Sequence, residues 1–274
     1  MPYRIVQSKQ NSRLKDLRRA LTHPGRDGSR LAGIEGPNLL EEALRAGLHV
    51  QTVFVAQGSE HLLEGLALAA EIEILLLSRE LLESALATET PQPVAALVEP
   101  PVWSWDDVLG GTKMAVPLPA NVKPLIVVLA GLQDPGNLGM ILRSAEAFGA
   151  TGVLCLPGTV SEWNPKAVRA SAGSVFRMPL ISVSEKDWFV RLRKAGVKIW
   201  TTAVDGAEAA DRIDLTGPVA LVIGNEGNGV PEELAAQADG AVMIPCPGPV
   251  ESLNAAAAAS VLLYEASRQK RSAR

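Results

Sequence analysis

From residue 124 onward, short apolar runs alternate with amphipathic stretches, and this alternation constrains the chain more than any other feature. Leu125–Ala130, Gly152–Leu156, Pro179–Ser182, Val197–Thr202, Val219–Ile223 and Ala241–Ile244 are predicted strands. Leu138–Phe148, Pro165–Ala172, Lys186–Ala195, Pro231–Ala238 and Ser252–Arg268 are predicted helices. A short strand that is apolar at every position is covered on both faces, and a helix between strands supplies the crossover that a parallel sheet needs. In such α/β sheets ligands bind beyond the carboxyl ends of the strands.

Residues 1–100 read as a smaller α/β unit. A helix is expected over Asn11–Leu21, and Leu31–Glu35 is a short apolar run. Gly36-Pro37-Asn38 opens a helix over Leu39–Ala46, which Gly47 ends. Strands are expected at Val50–Val55 and Glu71–Leu77, with a helix around Leu62–Ala70 between them. Prolines 91, 93, 100, 101, 117, 119 and 124 then mark a segment that is at least partly linker. The domain organisation is therefore 1–110, a linker at 111–123, and 124–274, with Trp103 and Trp105 expected to cap one domain. A length of 274 residues suits about two domains.

Aromatic residues make up only 4% of the chain, so the core is Leu, Val, Ile and Ala, and a surface of many stacked rings is excluded. Cys155 and Cys246, with His23, His49 and His61 far away in sequence, make neither a disulfide scaffold nor a four-ligand metal site. They read as two buried thiols in a reducing compartment. No apolar run approaches the ~20 residues that span a bilayer, and the N-terminus is polar and basic, so a cytoplasmic protein is expected.

The net charge of −4 hides an asymmetry: +6 over residues 1–30, −11 over 31–107 and +1 over 108–274. A basic arm on an acidic protein points to a polyanionic partner, because clustered Lys and Arg bind phosphates by releasing counterions. A solvated face of the Asn11–Leu21 helix explains the same charges.

Three loops that follow strands carry the chemistry. The first, Gly131–Gly139, opens a helix with Asn137 as its expected N-cap, and Arg143 follows six residues on. A cation near a helix N-terminus opposes the helix dipole, which an anionic ligand would offset. The second, Gly224-Asn225-Glu226-Gly227-Asn228-Gly229, is spaced G-x-x-G-x-G and lacks a following Lys-Ser/Thr, so it is not a P-loop. Glu226 would repel a phosphate there; an adenosine carrying a sulfonium fits better. In the third, Ile244-Pro245 leads to Ser252-Leu253-Asn254, with Ser252 the expected cap of the last helix. Asn254, polar beside an apolar face, suggests a ligand or a buried network.

Together these motifs resemble the SpoU/TrmH family of S-adenosylmethionine-dependent RNA ribose 2′-O-methyltransferases. The resemblance rests on Asp134-Pro135-Gly136-Asn137-Leu138-Gly139 with Arg143, Ile223-Gly224-Asn225-Glu226-Gly227, Ile244-Pro245, Ser252-Leu253-Asn254 and Leu263-Tyr264-Glu265. Arg169-Ala170-Ser171-Ala172-Gly173 with Pro179 also resembles that family. Glu35-Gly36-Pro37-Asn38 and Glu41–Gly47 are similar to its N-terminal substrate-binding domain, which resembles ribosomal proteins. Departures are small: Cys246 stands where Met is usual, and Ala255 and Ala257 replace commoner Val residues.

The resemblance implies an α/β trefoil-knot methyltransferase domain with a parallel sheet, plus the small N-terminal α/β domain. It implies S-adenosylmethionine as cofactor, RNA as partner, a homodimer, and no metal or membrane. It assigns Arg143, Asn137, Glu226, Ser252 and Asn254 to catalysis, and Gly224, Ile244, Leu253 and Thr202 to the cofactor. Arg143 would clamp an RNA phosphate and stabilise a developing alkoxide rather than act as a literal base, because arginine stays protonated. Asn137 would shape the first loop, Glu226 would fix the second, and the last helix with its Ala255–Ala259 face would form the dimer interface. The extra domain favours ribosomal over transfer RNA. Two other readings are weighed. A nucleotide-dependent oxidoreductase needs G-x-G-x-x-G after the first strand, which Gly131–Gly139 lacks. A catalytically inert RNA-binding or ribosome-assembly protein of the same fold is opposed by the intact Asn137, Arg143, Glu226, Ser252 and Asn254.

Overall fold

The computed structural model of the chain describes residues 3–23, 31–86, 88–111, 123–184, 188–250 and 252–273. The expected linker at 111–123 falls almost wholly outside them. The chain divides into two compact units, Met1–Val102 with Ser161–Phe176, and Trp103–Val160 with Arg177–Arg274.

The first unit begins with β1 (Arg4–Val6) and α1 (Ser12–Thr22). Asn11 caps α1 by accepting from the Leu14 amide, and Leu14, Leu17, Ala20 and Leu21 recur at helical spacing and are buried. β2 (Ala32–Glu35) leads through Gly36, at φ +103°, into α2 (Pro37–Arg45), whose first residue is the proline that suits a helix start. β3 (Val50–Ala56), β4 (Glu73–Leu77), α3 (Arg79–Glu83) and β5 (Val94–Val98) follow. The sheet order is β1-β4-β3-β5-β2. β1 and β3 run parallel to β4, while β5 is antiparallel to both β3 and β2.

Two expectations for this unit are corrected. The helix around Leu62–Ala70 is a single 3-10 turn, Glu60–Leu63, because Gly65 at φ +80° breaks the helical path. The proline-rich segment contains β5, a strand buried at every position between two neighbours. Pro93 sits just outside it, where a missing amide costs the ladder nothing.

The second unit opens with α4 (Trp105–Val108), held by a capping box between Ser104 and Asp107, and α4 packs on the strands β7 and β8 described next. β6 (Leu125–Leu129), α5 (Pro135–Ala147) and β7 (Gly152–Cys155) follow. The chain then passes through α6 (Pro165–Ser171), which packs on β2 within the first unit, before β8 (Leu180–Ser182). α7 (Trp188–Lys194), β9 (Lys198–Thr202), the two-residue β10 (Glu208–Ala209), β11 (Val219–Ile223), α8 (Glu232–Ala235), β12 (Gly240–Met243) and α9 (Ala255–Ser272) complete it.

These seven strands form one sheet in the order β10-β12-β9-β11-β6-β7-β8, and every pairing is parallel. The chain walks outward from β6 to β8, then crosses and returns, placing β11 beside β6. That reversal is a topological switch point, the place beside which ligands bind in open α/β sheets. Leu125, Ile126, Val127, Val128 and Leu129 are all buried, as are Val219 through Ile223, which is why neither strand alternates in sequence.

Candidate functional site

β6 and β11 pair from Leu125↔Val219 to Leu129↔Ile223, so they end level and the loops that leave them start side by side. The first loop turns at Gly131, φ +75°, and enters α5. The N-cap is Asp134, whose Oδ1 accepts from the Asn137 amide at 2.8 Å; it is not Asn137, as the sequence suggested. Pro135 presets the first helical φ, so the helix starts earlier than its apolar pattern. This frees the Asn137 side chain from capping, although the residue is only 9% exposed.

Asn137 instead joins the three loops. Its Nδ2 donates to Glu226 Oε1 at 3.0 Å, and its Oδ1 accepts from Asn254 Nδ2 at 3.0 Å. The amide orientations follow from chemistry. Asn254 Oδ1 already accepts from the Ala256 and Ala257 amides, so its nitrogen must face Asn137. Asn137 must then present its oxygen to Asn254 and its nitrogen to the carboxylate.

Glu226 also accepts from the Gln133 amide at 3.3 Å and the Asp134 amide at 3.2 Å. Burial pushes its carboxyl up, but the Asn137 side chain and the backbone amides of Glu226, Gln133 and Asp134 outweigh burial and hold it below the ordinary value. Glu226 is thus a fixed anion that anchors the first loop, rather than mainly fixing its own. The second loop is closed by reciprocal backbone bonds between Asn225 and Gly229, at 3.0 and 2.9 Å. A Cβ on buried Gly224 would run into the backbone of Gly229 and Val230, so the glycine permits the loop to fold on itself.

Asn254 caps α9, taking the role expected of Ser252. Ser252 and Leu253 are exposed ahead of the helix, and Ile244 is half-buried after β12. Thr202, at the end of β9, donates from Oγ1 to the Val222 carbonyl at 3.0 Å, which ties β9 to β11.

Arg143 is exposed on α5 and has no ion-pair partner among the described residues. It is the ninth of 13 residues in a helix that begins at Pro135, so the dipole argument for it does not hold. At about 100° per residue it points roughly 120° away from Asn137 around the helix. Asn137, Glu226 and Asn254 are therefore bonded together, whereas Arg143, Ser252 and Leu253 stand outside that network.

Two residues escaped the sequence reading. Asn225 donates from Nδ2 to the Gly131 carbonyl at 2.8 Å and accepts from the Gly227 amide at 2.8 Å, so it ties the first and second loops as well. Asp134 is the other, and Asp before Pro is a helix-start signal that should have revealed it.

The helices α5 and α9 pack together, with Ser144 and Ser260 hydroxyls 2.7 Å apart and the Phe148 and Tyr264 rings edge to face at 5.7 Å. Ala256 and Ala259 are buried. Met140, Val261 and Tyr264 are exposed on the same two helices. Among the described residues no group of three His, Cys, Asp or Glu could hold a metal ion, and no helix is long and apolar enough to cross a membrane.

Known proteins resemble the chain in sequence and fold. Residues 124–264 match the SpoU rRNA Methylase family, and residues 11–96 match the MRM3-like substrate binding domain. The chain is 30% identical to the 23S rRNA (guanosine(2553)-2′-O)-methyltransferase RlmP of Bacillus subtilis, over 94% of this chain and 97% of that one. It is 36% identical to an uncharacterized tRNA/rRNA methyltransferase of Mycolicibacterium vanbaalenii, over 87% of this chain and 76% of that one. The crystal structure of the SpoU methyltransferase AviRb from Streptomyces viridochromogenes, in complex with the cofactor AdoMet, superposes with a TM-score of 0.81 at 30% identity, covering 97% of this chain and 100% of that one.

Proposed function

The chain belongs to the SpoU rRNA methylase family of S-adenosylmethionine-dependent methyltransferases, and from that premise we propose that it methylates a ribose 2′-hydroxyl of structured ribosomal RNA in the cytoplasm. The observation that carries this reading is the Glu226–Asn137–Asn254 relay, which joins three loops at the switch point of a parallel sheet.

The residues around the relay fit the cofactor. Half-buried Ile244, after β12, and exposed Leu253, next to Asn254, are apolar residues on which an adenosine could pack. The anionic Glu226 suits a positively charged sulfonium better than a phosphate. When bound, the cofactor supplies an electrophilic methyl group. Gly224, Ile244 and Leu253 would hold the adenosine, with Thr202 closing the β9 side.

A 2′-hydroxyl is a poor nucleophile, so the protein must place it in line and stabilise charge as it develops. Arg143 is assigned that role, since a guanidinium exposed to an incoming strand can clamp a phosphate and the developing alkoxide. Ser252 and Asn254 would meet the ribose. Three donors already hold Glu226, so we assign it to fixing the first loop and the 2′-hydroxyl proton to another group.

We assign the first unit, Met1–Val102 with Ser161–Phe176, to substrate RNA and the second to methyl transfer through a knotted, dimeric domain. Exposed Met140, Val261 and Tyr264 support a homodimer formed by α5 and α9. Ala256 and Ala259 are buried within the chain, which leaves half-buried Ala255, Ala257 and Ala258 as the part of the small face that a partner could meet.

Mapping 2′-O-methyl sites on ribosomal and transfer RNA with and without the protein tests the substrate. A new mark on ribosomal RNA is expected; a mark on transfer RNA alone transfers the reading to that substrate. Calorimetry that detects no S-adenosylmethionine binding favours the inert RNA-binding reading.

A further inference from the structure

We propose that the stripe Lys15, Arg18 and Arg19 on α1, with Lys9 on the turn before it, is the face by which the first unit grips the sugar-phosphate backbone of its RNA. The proposal rests on the RNA reading above and deepens it by naming the surface.

Residues 31–102 contain eleven acids against Arg45 and Arg79. Both of those arginines are already engaged, Arg45 with Glu41 and Glu42, and Arg79 with Glu83. In Ser161–Phe176 the cations are Lys166 and Arg169, on a seven-residue helix. Residues 1–30 therefore carry most of this unit's positive charge, and among the described residues of that stretch it lies on β1, the turn after it and α1.

That stretch is organised rather than diffuse. Lys15, Arg18, Arg19 and Thr22 fall at i, i+3, i+4 and i+7, opposite the buried Leu14, Leu17, Ala20 and Leu21. All four are exposed, as is Lys9. Lys9 and Lys15 have no ion-pair partner among the described residues. Arg18 donates to the Ser84 carbonyl and Arg19 pairs with half-buried Asp16, surface contacts that a phosphate can displace or share. Arg4 and Arg13, by contrast, converge on Glu73 and stabilise the link between β1, α1 and β4.

The aromatic side chains exclude base stacking as the main source of grip. Phe54 is fully buried, and Trp163 and Phe176 are buried and stacked on each other at 6.0 Å. Among the described residues of this unit, Tyr3 alone exposes a ring. Binding must then be dominated by phosphate contacts, which set position and orientation but read no sequence. Choice of the nucleotide is left to the methyl-transfer unit.

The test measures binding of the full chain to deproteinised large-subunit ribosomal RNA across 50–200 mM salt. The variant Lys15→Gln/Arg18→Gln/Arg19→Gln should bind at least about tenfold more weakly, with the salt slope reduced by about one unit per lost contact. Its KM for RNA should rise while S-adenosylmethionine affinity is unchanged. Arg45→Gln/Arg79→Gln should leave affinity and slope as they are. Lys15→Glu alone should weaken binding in the same direction, should the triple variant prove unstable on melting. A triple variant that retains wild-type affinity and slope overturns the proposed face and leaves the function intact. Wild-type protein that neither binds nor methylates the RNA overturns both. A defect seen on intact ribosomal subunits but not on naked RNA assigns the stripe to a protein partner and also overturns the proposal.

Discussion

Asn254 Nδ2 donates to Asn137 Oδ1 at 3.0 Å while Asn254 Oδ1 caps α9, so one side chain starts a helix and also joins it to a loop 117 residues earlier. The two roles can be separated by substitution. Asn254→Asp keeps an oxygen for the cap but places an acceptor against an acceptor at Asn137. Asn254→Ala loses both. The alanine variant should be destabilised by about 1–2 kcal/mol, chiefly from the lost cap. The aspartate variant should unfold nearer to wild type in urea yet lose S-adenosylmethionine affinity by about tenfold or more. An aspartate variant with full affinity would show that the link to Asn137 is dispensable.

Glu226 predicts an acid limb. Its carboxyl is held below the ordinary value of about 4.3, so between the two values the unfolded chain binds more protons than the folded one. The stabilisation is complete above that ordinary value and is lost as pH falls through the lowered one. The urea midpoint of wild type should therefore exceed that of Glu226→Gln by a constant margin from pH 6 to 8. The margin should shrink below about pH 4. A margin that grows on acidification would mean that the carboxyl titrates above its ordinary value.

Gly224→Ala tests the fold of the second loop. The new methyl would overlap the backbone of Gly229 and Val230, which cannot swing aside as the tip of a side chain can. The loop must move, at a cost of about 1–3 kcal/mol. Glu226 would shift with it and release Gln133 and Asp134. Thermal melts should show the loss, and calorimetry should show weakened cofactor binding. Gly217→Ala, where nothing lies within 4 Å of the added methyl, should change neither.

These residues also mark how far the sequence could be read. Six of the seven strands of the parallel sheet were legible, β6, β7 and β11 most plainly because burial on both faces makes them apolar at each position, whereas the two-residue β10 was not. β5 was not: Val94-Ala95-Ala96-Leu97-Val98 is short, has two alanines at its centre, and follows two prolines. Its strand character comes from pairing with β3 and β2, which are distant in sequence. Likewise the three loops were recognisable by their glycines and asparagines, but their partners were not. Asp134 and Asn137 both suit a cap by composition, and only the position of Pro135 decides between them. Arg143 was assigned from a motif, and its exposure on α5 gives no bonded contact from which its role could be read.

Arg143 therefore carries the decisive catalytic prediction. It is exposed, contributes nothing to the core, and makes no ion pair among the described residues, so Arg143→Ala should unfold within about 0.5 kcal/mol of wild type. It stands outside the Glu226–Asn137–Asn254 relay, so S-adenosylmethionine should bind with unchanged affinity. If the guanidinium stabilises charge on the reacting oxygen, kcat should fall by about 10²–10³-fold, the usual cost of removing such a donor. Arg143→Lys should recover part of that loss, since an ammonium keeps the charge but not the two-pronged geometry. Single-turnover methyl transfer to ribosomal RNA at saturating cofactor separates this from weakened RNA binding, which would raise KM and leave kcat alone. An Arg143→Ala enzyme with wild-type kcat would remove arginine from the reaction and return the search for the oxyanion's partner to Ser252.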